Sequence, residues 1–406
     1  MMLTVADALN AVLHRAGPLP PRRFGLAEAL GCILAEDVVA DRDWPPFDKA
    51  LMDGYAVRTA DLTEVGQTLR IGEEITAGRV PSRPLAVGEA ALVMTGAPMP
   101  EGADAVVMIE QAKVGDDGLV RFDGPLIAAG KNVMPLGLEM RAGDALLRRG
   151  DRLNAARLGL LASVGKAEVL VAPRPRIAIV PTGDELVEPD QEPGPGQIRN
   201  SNGTLLQALA QGSDARAELL PIAPDEIDGL QALLKRGLAA DVLLTTGGVS
   251  AGNRDLVPDS LAALGVERVF HKVRLKPGKP IWFGVGPRRD DGSPGPLVFG
   301  LPGNPVSGLV GFLLFVRPAL AVLRGRETAM APLPRYRLAL GFEHKGDRPT
   351  YHPARLVAGP DGQEVEPLAW AGSSDLRTVT KADGFVVFPA GDRSYSLREQ
   401  VEFLPF

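Results

Sequence analysis

Along residues 3–16, Val5, Ala8, Leu9, Val12 and Leu13 fall on one helical face with Asp7, Asn10 and Arg15 off it. The spacing predicts an amphipathic helix ended by Gly17-Pro18. A short helical turn is expected over 26–31 and a strand over 33–40. From about 69 to 140 the texture is β-like, with short apolar runs such as 90–94 and 105–109 separated by Gly/Pro turns. Residues 141–172, with a helical pattern over 155–164, read as the first small domain resumed after an insertion. Beyond Pro173-Arg174-Pro175 the pattern alternates: strand 176–181, helix 203–212, strand 217–222, helix 225–238, strand 241–246 and helix 256–264. A long apolar helix follows over 306–324. Strand and helix in alternation predict βαβ units in one parallel-sheet domain. Short β runs at 336–340, 384–388 and 400–403 then predict a small C-terminal β-barrel or sandwich.

Composition narrows the picture. A chain of 406 residues with 45% hydrophobic and 23% charged residues is too long for one ordinary core and calls for two to four domains. A net charge of −6 argues against a general nucleic-acid surface, so any anion site must come from local lysines and arginines. The single cysteine, Cys32, excludes intrachain disulfides, fits a reducing compartment and reads as a small buried apolar residue. The longest apolar run, 309–323, is interrupted by Arg317 and Pro318, and the N-terminus lacks the pattern of a secretory signal. A cytoplasmic protein with no membrane span is expected.

The stretch with the most chemistry is Thr245-Thr246-Gly247-Gly248-Val249-Ser250-Ala251-Gly252-Asn253-Arg254-Asp255, between an apolar strand and a helix start. Strand, glycine-rich turn and helix together present backbone N–H groups to a phosphate. Asp255 would repel that phosphate unless a metal or a proton lies between them, which points to chemistry rather than simple binding. Thr182, Asp184 and Glu185 close the preceding strand at the edge where open α/β sheets bind ligands. Lys272, Arg274, Lys276 and Lys279 form a cationic segment. Alternation of the first three fits the solvated face of an edge strand, whereas Lys279 is held between Gly278 and Pro280. Ser307, at the start of the long helix, marks a second candidate anion site. Asp53, beside Gly54, is either part of a polar turn or a carboxylate aimed into a cleft. The acidic positions Asp53, Glu185, Asp225 and Asp255 with these cations suit Mg²⁺-assisted cleavage of a phosphoanhydride. The sequence has no phosphate-binding Walker signature, no clustered zinc ligands and no Gly-x-Ser-x-Gly.

Seven segments occur in order: Met52-Asp53-Gly54-Tyr55-Ala56, Thr95-Gly96-Ala97, Pro181-Thr182-Gly183-Asp184-Glu185-Leu186, Ile198-Arg199-Asn200-Ser201-Asn202, Thr246-Gly247-Gly248-Val249-Ser250, Lys276-Pro277-Gly278-Lys279-Pro280 and Leu301-Pro302-Gly303-Asn304-Pro305-Val306-Ser307. The set closely resembles the molybdopterin molybdenumtransferase family, which includes MoeA and the gephyrin E domain, and the resemblance spans essentially the whole chain. It implies a homodimer of four-domain subunits that inserts molybdate into adenylylated molybdopterin with Mg²⁺-dependent release of AMP. The implied domains are a βαβ domain at 1–22 and 173–325, a small linking domain at 23–41 and 141–172, a β-rich domain at 42–140 and a barrel at 326–406.

Carried over residue by residue, Asp53 and Thr95 would line the cleft from the second subunit. Thr182, Gly247, Gly248 and Ser250 would hold the phosphate side, and Glu185, Asp225 and Asp255 would handle metal and anhydride. Lys276, Lys279, Pro280 and Ser307 would form the molybdate pocket, with Arg355 and Ser374 from the last domain. Two departures stand out: Glu139 occupies a position where the family has Asp, and Ala50-Leu51 replaces Ser-Ala before Met52. The competing expectations are a molybdopterin adenylyltransferase, which needs only the βαβ domain and is also a candidate upstream partner, and a non-catalytic gephyrin-like scaffold.

Overall fold

The computed structural model describes residues 2–248, 256–326 and 332–406. The chain forms two units: Met1–Ala35 with Gly150–Asn154 and Glu168–Phe406, and Glu36–Arg149 with Ala155–Ala167.

The second unit is built on a six-stranded sheet, ordered Ala105–Met108, Gly54–Val57, Glu89–Val93, Thr68–Ile75, Leu119–Phe122, Ala112–Val114. Alternation of side chains along a strand sends them to two faces. Tyr55, Val57, Ala90, Val107 and Phe122 pack on one face, and Ala56, Ala91, Val93, Val106 and Ile75 on the other. Gly54 pairs with Met108, and a Cβ there would lie 2.1 Å from the carbonyl oxygen of Val107. The glycine of the Asp-Gly-Tyr stretch is therefore required by strand pairing itself.

In the first unit the main sheet is ordered Arg216–Leu219, Arg176–Pro181, Val242–Thr246, Leu297–Leu301, Trp282–Val285, Glu267–His271. The first four strands are parallel, as expected, but the last two pair antiparallel, so the sheet is mixed. Residues 286–296 join Trp282–Val285 to Leu297–Leu301 as a hairpin, and a hairpin fixes the antiparallel direction. Ile177, Ile179, Leu244, Phe299 and Leu301 point to one face with Val5–Arg15, Ser201–Gly212 and the long apolar helix. Ala178, Val180, Leu243 and Val298 point to the other, under Leu230 and Leu234 of Ile227–Gly237 and Val257 and Leu261 of Leu256–Ala263. Phe299 is fully buried, with its ring 4.9 Å from that of Phe283. Phe299→Ala should cost about 3–5 kcal/mol, read as a lower denaturant midpoint for this unit.

The long helix spans Pro305–Leu323, 19 residues whose apolar window is 83% buried inside the protein. Its length and composition would suit a bilayer, yet it packs in one core cluster with Leu206, Phe270 and other buried side chains. Five residues, Phe312–Val316, form a π turn between α-helical segments. Pro318 lacks an N–H, and its ring crowds the carbonyl one turn earlier, which accounts for the widening there.

The expected single strand over 33–40 is two short ones, Ile33–Leu34 and Val38–Val39, and the chain passes between units after Ala35. Residues 26–31 form the expected short turns, with the Ala29 N–H donating to the Gly25 carbonyl at 3.1 Å. The C-terminal strands close into a five-stranded barrel, ordered Arg335–Leu338, Gly362–Pro367, Thr350–Gly359, Gly384–Phe388, Gln400–Pro405. Tyr351, Phe385 and Leu404 join the core of the α/β layer, so barrel and sheet share one apolar interior.

Candidate functional site

Register places Pro181, Thr246 and Leu301 side by side at the C-terminal edge of the parallel strands. The Thr182 N–H donates to the Thr246 carbonyl at 3.0 Å, and the Gly247 N–H donates to the Leu301 carbonyl at 3.1 Å. Three strand exits are thereby held together. Gly247 and Gly248 have φ of 93° and 60°, and a Cβ would lie 2.6 Å from the Thr182 carbonyl oxygen at 247 and 2.6 Å from Val257 Cγ2 at 248. Both glycines are thus required by conformation and by space.

A cleft opens above these exits, lined by Thr182, Glu185, Asn202, Thr246, Gly247 and Ser374 among others. Asn200 caps Ser201–Gly212 by accepting from the Gly203 N–H at 2.9 Å, which sets Asn202 in the first turn. The Asn202 amide donates to Thr246 Oγ1 at 2.9 Å and to the Gly303 carbonyl at 2.7 Å. Among the described residues its Oδ1 is buried without a partner, an acceptor left for a ligand. Since Thr246 Oγ1 accepts from Asn202, its own hydrogen is free to donate outward.

The acidic corner is built by a parallel bridge between Thr182 and Ala223. The Asp225 N–H donates to Asp184 Oδ1 at 2.9 Å, and the Asp184 N–H donates to Asp225 Oδ2 at 3.4 Å. Glu185 folds back over Gly183, where a Cβ would lie 2.3 Å from its Oε2. These exposed oxygens have the hard-donor chemistry that Mg²⁺ takes when a substrate supplies further phosphate oxygens. Among the described residues no group of three His, Cys, Asp or Glu is gathered for a metal ion. Asp255, the third expected metal ligand, and Ser250 lie outside the described residues.

The edge strand ends at His271, so Lys272, Arg274, Lys276 and Lys279 lie in the irregular segment after it rather than along its face. Gly278, at φ 111°, would bring a Cβ to 3.4 Å from the Ser307 carbonyl oxygen, so the Lys-Pro-Gly-Lys turn lies against the helix start. The Lys276 N–H donates to the Pro349 carbonyl at 2.9 Å, and the Tyr351 N–H donates to the Lys276 carbonyl at 2.8 Å, tying the turn to the barrel. Lys276 and Lys279 are exposed, Pro280 is half-buried and Ser307 is buried. The helix start offers fewer donors than expected, because Pro305 has no N–H and the Val306 N–H donates to the Ser373 carbonyl at 3.1 Å.

From the barrel side, Ser373 Oγ accepts from the Asn304 amide at 3.0 Å and Ser374 lines the cleft. Arg355 instead lies on a barrel strand in a two-point ion pair with Glu366, at 3.0 and 3.1 Å. It does not line the cleft, and neither do Asp225, Lys276, Lys279, Pro280 or Ser307, which lie beside it. Asn202, Asn304 and Ser373 were not among the residues singled out from sequence. Asn202 lies within Ile198-Arg199-Asn200-Ser201-Asn202, but nothing local marks which polar side chain of that segment faces the strand ends.

In the other unit, Asp53 Oδ1 accepts from the Thr95 N–H at 2.6 Å and from the Thr95 hydroxyl at 2.8 Å. The backbone N–H first, and then the hydroxyl, holds the Asp53 carboxyl below its ordinary value of 3.8. A lowered folded value means that this contact stabilises fully above the ordinary value and is lost as pH falls through the lowered one. A carboxyl ¹³C titration should therefore give an Asp53 midpoint below 3.8, and Thr95→Ala should return it only part of the way because the backbone N–H remains. Glu139 reaches Lys49 at 3.7 Å, so the longer acid keeps an ion pair. Ala50 is buried, leaving Leu51 and Met52 exposed before Asp53.

Residues 178–322 match the family described as a probable molybdopterin binding domain, the class that the sheet and its glycine-rich edge define. Residues 3–165 match the MoeA N-terminal region, domains I and II, and residues 335–406 the MoeA C-terminal region, domain IV. A molybdopterin molybdenumtransferase from Staphylococcus aureus is 31% identical over 99% of this chain and 95% of its own length. One from Staphylococcus epidermidis is 30% identical over the same shares. A molybdopterin biosynthesis MoeA protein of Pyrococcus horikoshii superposes with a TM-score of 0.81 at 31% identity, covering 100% of this chain and 99% of its own. A second structure from that organism gives 0.74 at 27% identity, covering 100% of both chains. The chain belongs to the MoeA family of molybdopterin molybdenumtransferases, enzymes of molybdenum cofactor biosynthesis.

Proposed function

We propose that the protein inserts molybdate into adenylylated molybdopterin with Mg²⁺-dependent release of AMP. The observation that carries this reading is the cleft over the three strand exits, with a cationic turn held against its helix start. The Gly247 and Gly248 turn, Thr182 and Thr246 bind the pterin-side phosphate, with Ser250 continuing the cradle. The buried Asn202 Oδ1 accepts from a ligand N–H or O–H group. Lys276 and Lys279, on the turn that carries Pro280 and lies against Ser307 of the helix start, attract the molybdate dianion, and Ser374 lines the barrel side of the cleft. Arg355 joins them only by leaving Glu366.

Glu185, Asp225 and Asp255 are the residues that would hold Mg²⁺, which when bound neutralises charge on the anhydride. Asp255 and Ser250 orient the anhydride for cleavage. Asp53, kept ionised by Thr95, is the contribution of a second subunit in a homodimer, and the four-domain division given above belongs to the same proposal. Feeding of substrate by the upstream adenylyltransferase fits the chemistry, since adenylylated molybdopterin is its product. The test is cofactor formation: the purified chain, given adenylylated molybdopterin, molybdate and Mg²⁺, should reconstitute an apo-molybdoenzyme. Failure to do so with intact substrate would remove the proposal.

A further inference from the structure

At the opposite, N-terminal edge of the same sheet lies a second pocket whose lining includes Arg15, Arg22, Arg174, Arg176, Arg216 and Arg289. A five-residue strand such as Val242–Thr246 separates the two edges by roughly 17 Å. The acids lining this pocket are Asp241 and Asp291. Asp241 is already engaged by Arg176 at 3.4 Å and Arg289 at 2.9 Å, and Asp291 accepts from the Ser293 N–H at 2.9 Å. Arg15 pairs with Glu267 at 3.3 Å. Arg22 and Arg216 are exposed, and among the described residues their guanidinium groups have no ion-pair or hydrogen-bond partner. Arg174 is half-buried, with Nη2 donating to the Leu30 carbonyl and, among the described residues, Nε buried without a partner.

Gathering guanidinium groups costs Coulomb energy unless an anion answers them, and a chain of net charge −6 has no general reason to do so here. Guanidinium groups match the geometry of phosphate oxygens and bind them in a two-point manner. Most of the remaining wall is apolar, with Phe24, Leu19, Pro173 and Pro294, and Ser293 adds a hydroxyl. Pockets pair apolar walls with a few polar anchors when the ligand has both characters.

We propose that this pocket is a second ligand site, distinct from the cleft at the other edge, taking a phosphorylated small molecule with an apolar or aromatic portion. The phosphate sits between Arg22, Arg216 and Arg174, and the apolar portion lies against Phe24. The site is independent of the reaction proposed above.

The test is calorimetric titration of the full chain with 1-naphthyl phosphate and, separately, inorganic phosphate, at low and moderate salt. Naphthyl phosphate should bind more tightly than inorganic phosphate, and the Arg22→Ala/Arg216→Ala double variant should weaken it at least tenfold. Both arginines are exposed, so thermal unfolding of that variant should be unchanged. Asn202→Leu, which alters the other cleft, should leave the affinity unchanged. Equal binding of the two phosphates would overturn the apolar half of the proposal, and unchanged affinity in the arginine variant would overturn it entirely. A shift in oligomeric state of the arginine variant would also overturn it, by assigning the surface to subunit contact.

Discussion

Gly247→Ala should lower turnover by about 100-fold while the chain stays folded. Alanine at φ 93° costs about 1–3 kcal/mol in backbone strain, and its Cβ meets the Thr182 carbonyl oxygen at 2.6 Å. That oxygen is backbone, so the turn itself must move. Displacing a positioning element by about 1 Å can cost about 100-fold in rate. Single-turnover AMP release at saturating substrate checks this. A rate within a few-fold of the parent would show that the turn does not touch the reacting group.

Lys279→Ala should raise the molybdate concentration for half-maximal rate by about 10- to 100-fold, with little change in thermal stability. The estimate takes one charge-assisted contact as about 1.5–3 kcal/mol, with about 1.4 kcal/mol per tenfold. The backbone at Lys279 is fixed independently of its side chain, since its carbonyl accepts from the Val273 N–H at 3.0 Å. The exposed ammonium group is therefore removable without disturbing the turn. An unchanged molybdate requirement would return Lys279 to the role of a solvated surface cation.

What the sequence disclosed, and what it hid, follows from the range of the interactions involved. Gly247, Gly248 and Gly54 were legible because each answers a backbone demand that only glycine meets, and such demands leave their mark in the local string. The βαβ alternation is legible through periodicity, which leaves the C-terminal strands as a barrel or a sandwich; the family resemblance implies the barrel. The strand Trp282–Val285 does not disclose its own direction, because an apolar strand buried on both faces reads alike in a parallel or an antiparallel pairing; the Gly/Pro-rich stretch 286–296 after it, which reads as an exposed hairpin tip, does. Asn202 escaped because its partner Gly303 lies 101 positions away, and Ser373 because Asn304 lies 69 positions away. The six arginines of the second pocket are dispersed from position 15 to position 289, so no charge run announces them. The widened turn at Phe312–Val316 was hidden for a different reason: Pro318 forbids a regular helix without saying how the chain will respond.

In the proposed reaction the cleft couples anhydride cleavage to capture of an oxyanion. The most direct measurement of that coupling is AMP released from adenylylated molybdopterin in Mg²⁺, titrated with molybdate and, in parallel, with tungstate. AMP release should rise with oxyanion concentration and saturate, with one AMP for each metal atom incorporated. AMP release indifferent to either oxyanion, or metal incorporation without AMP, would contradict it.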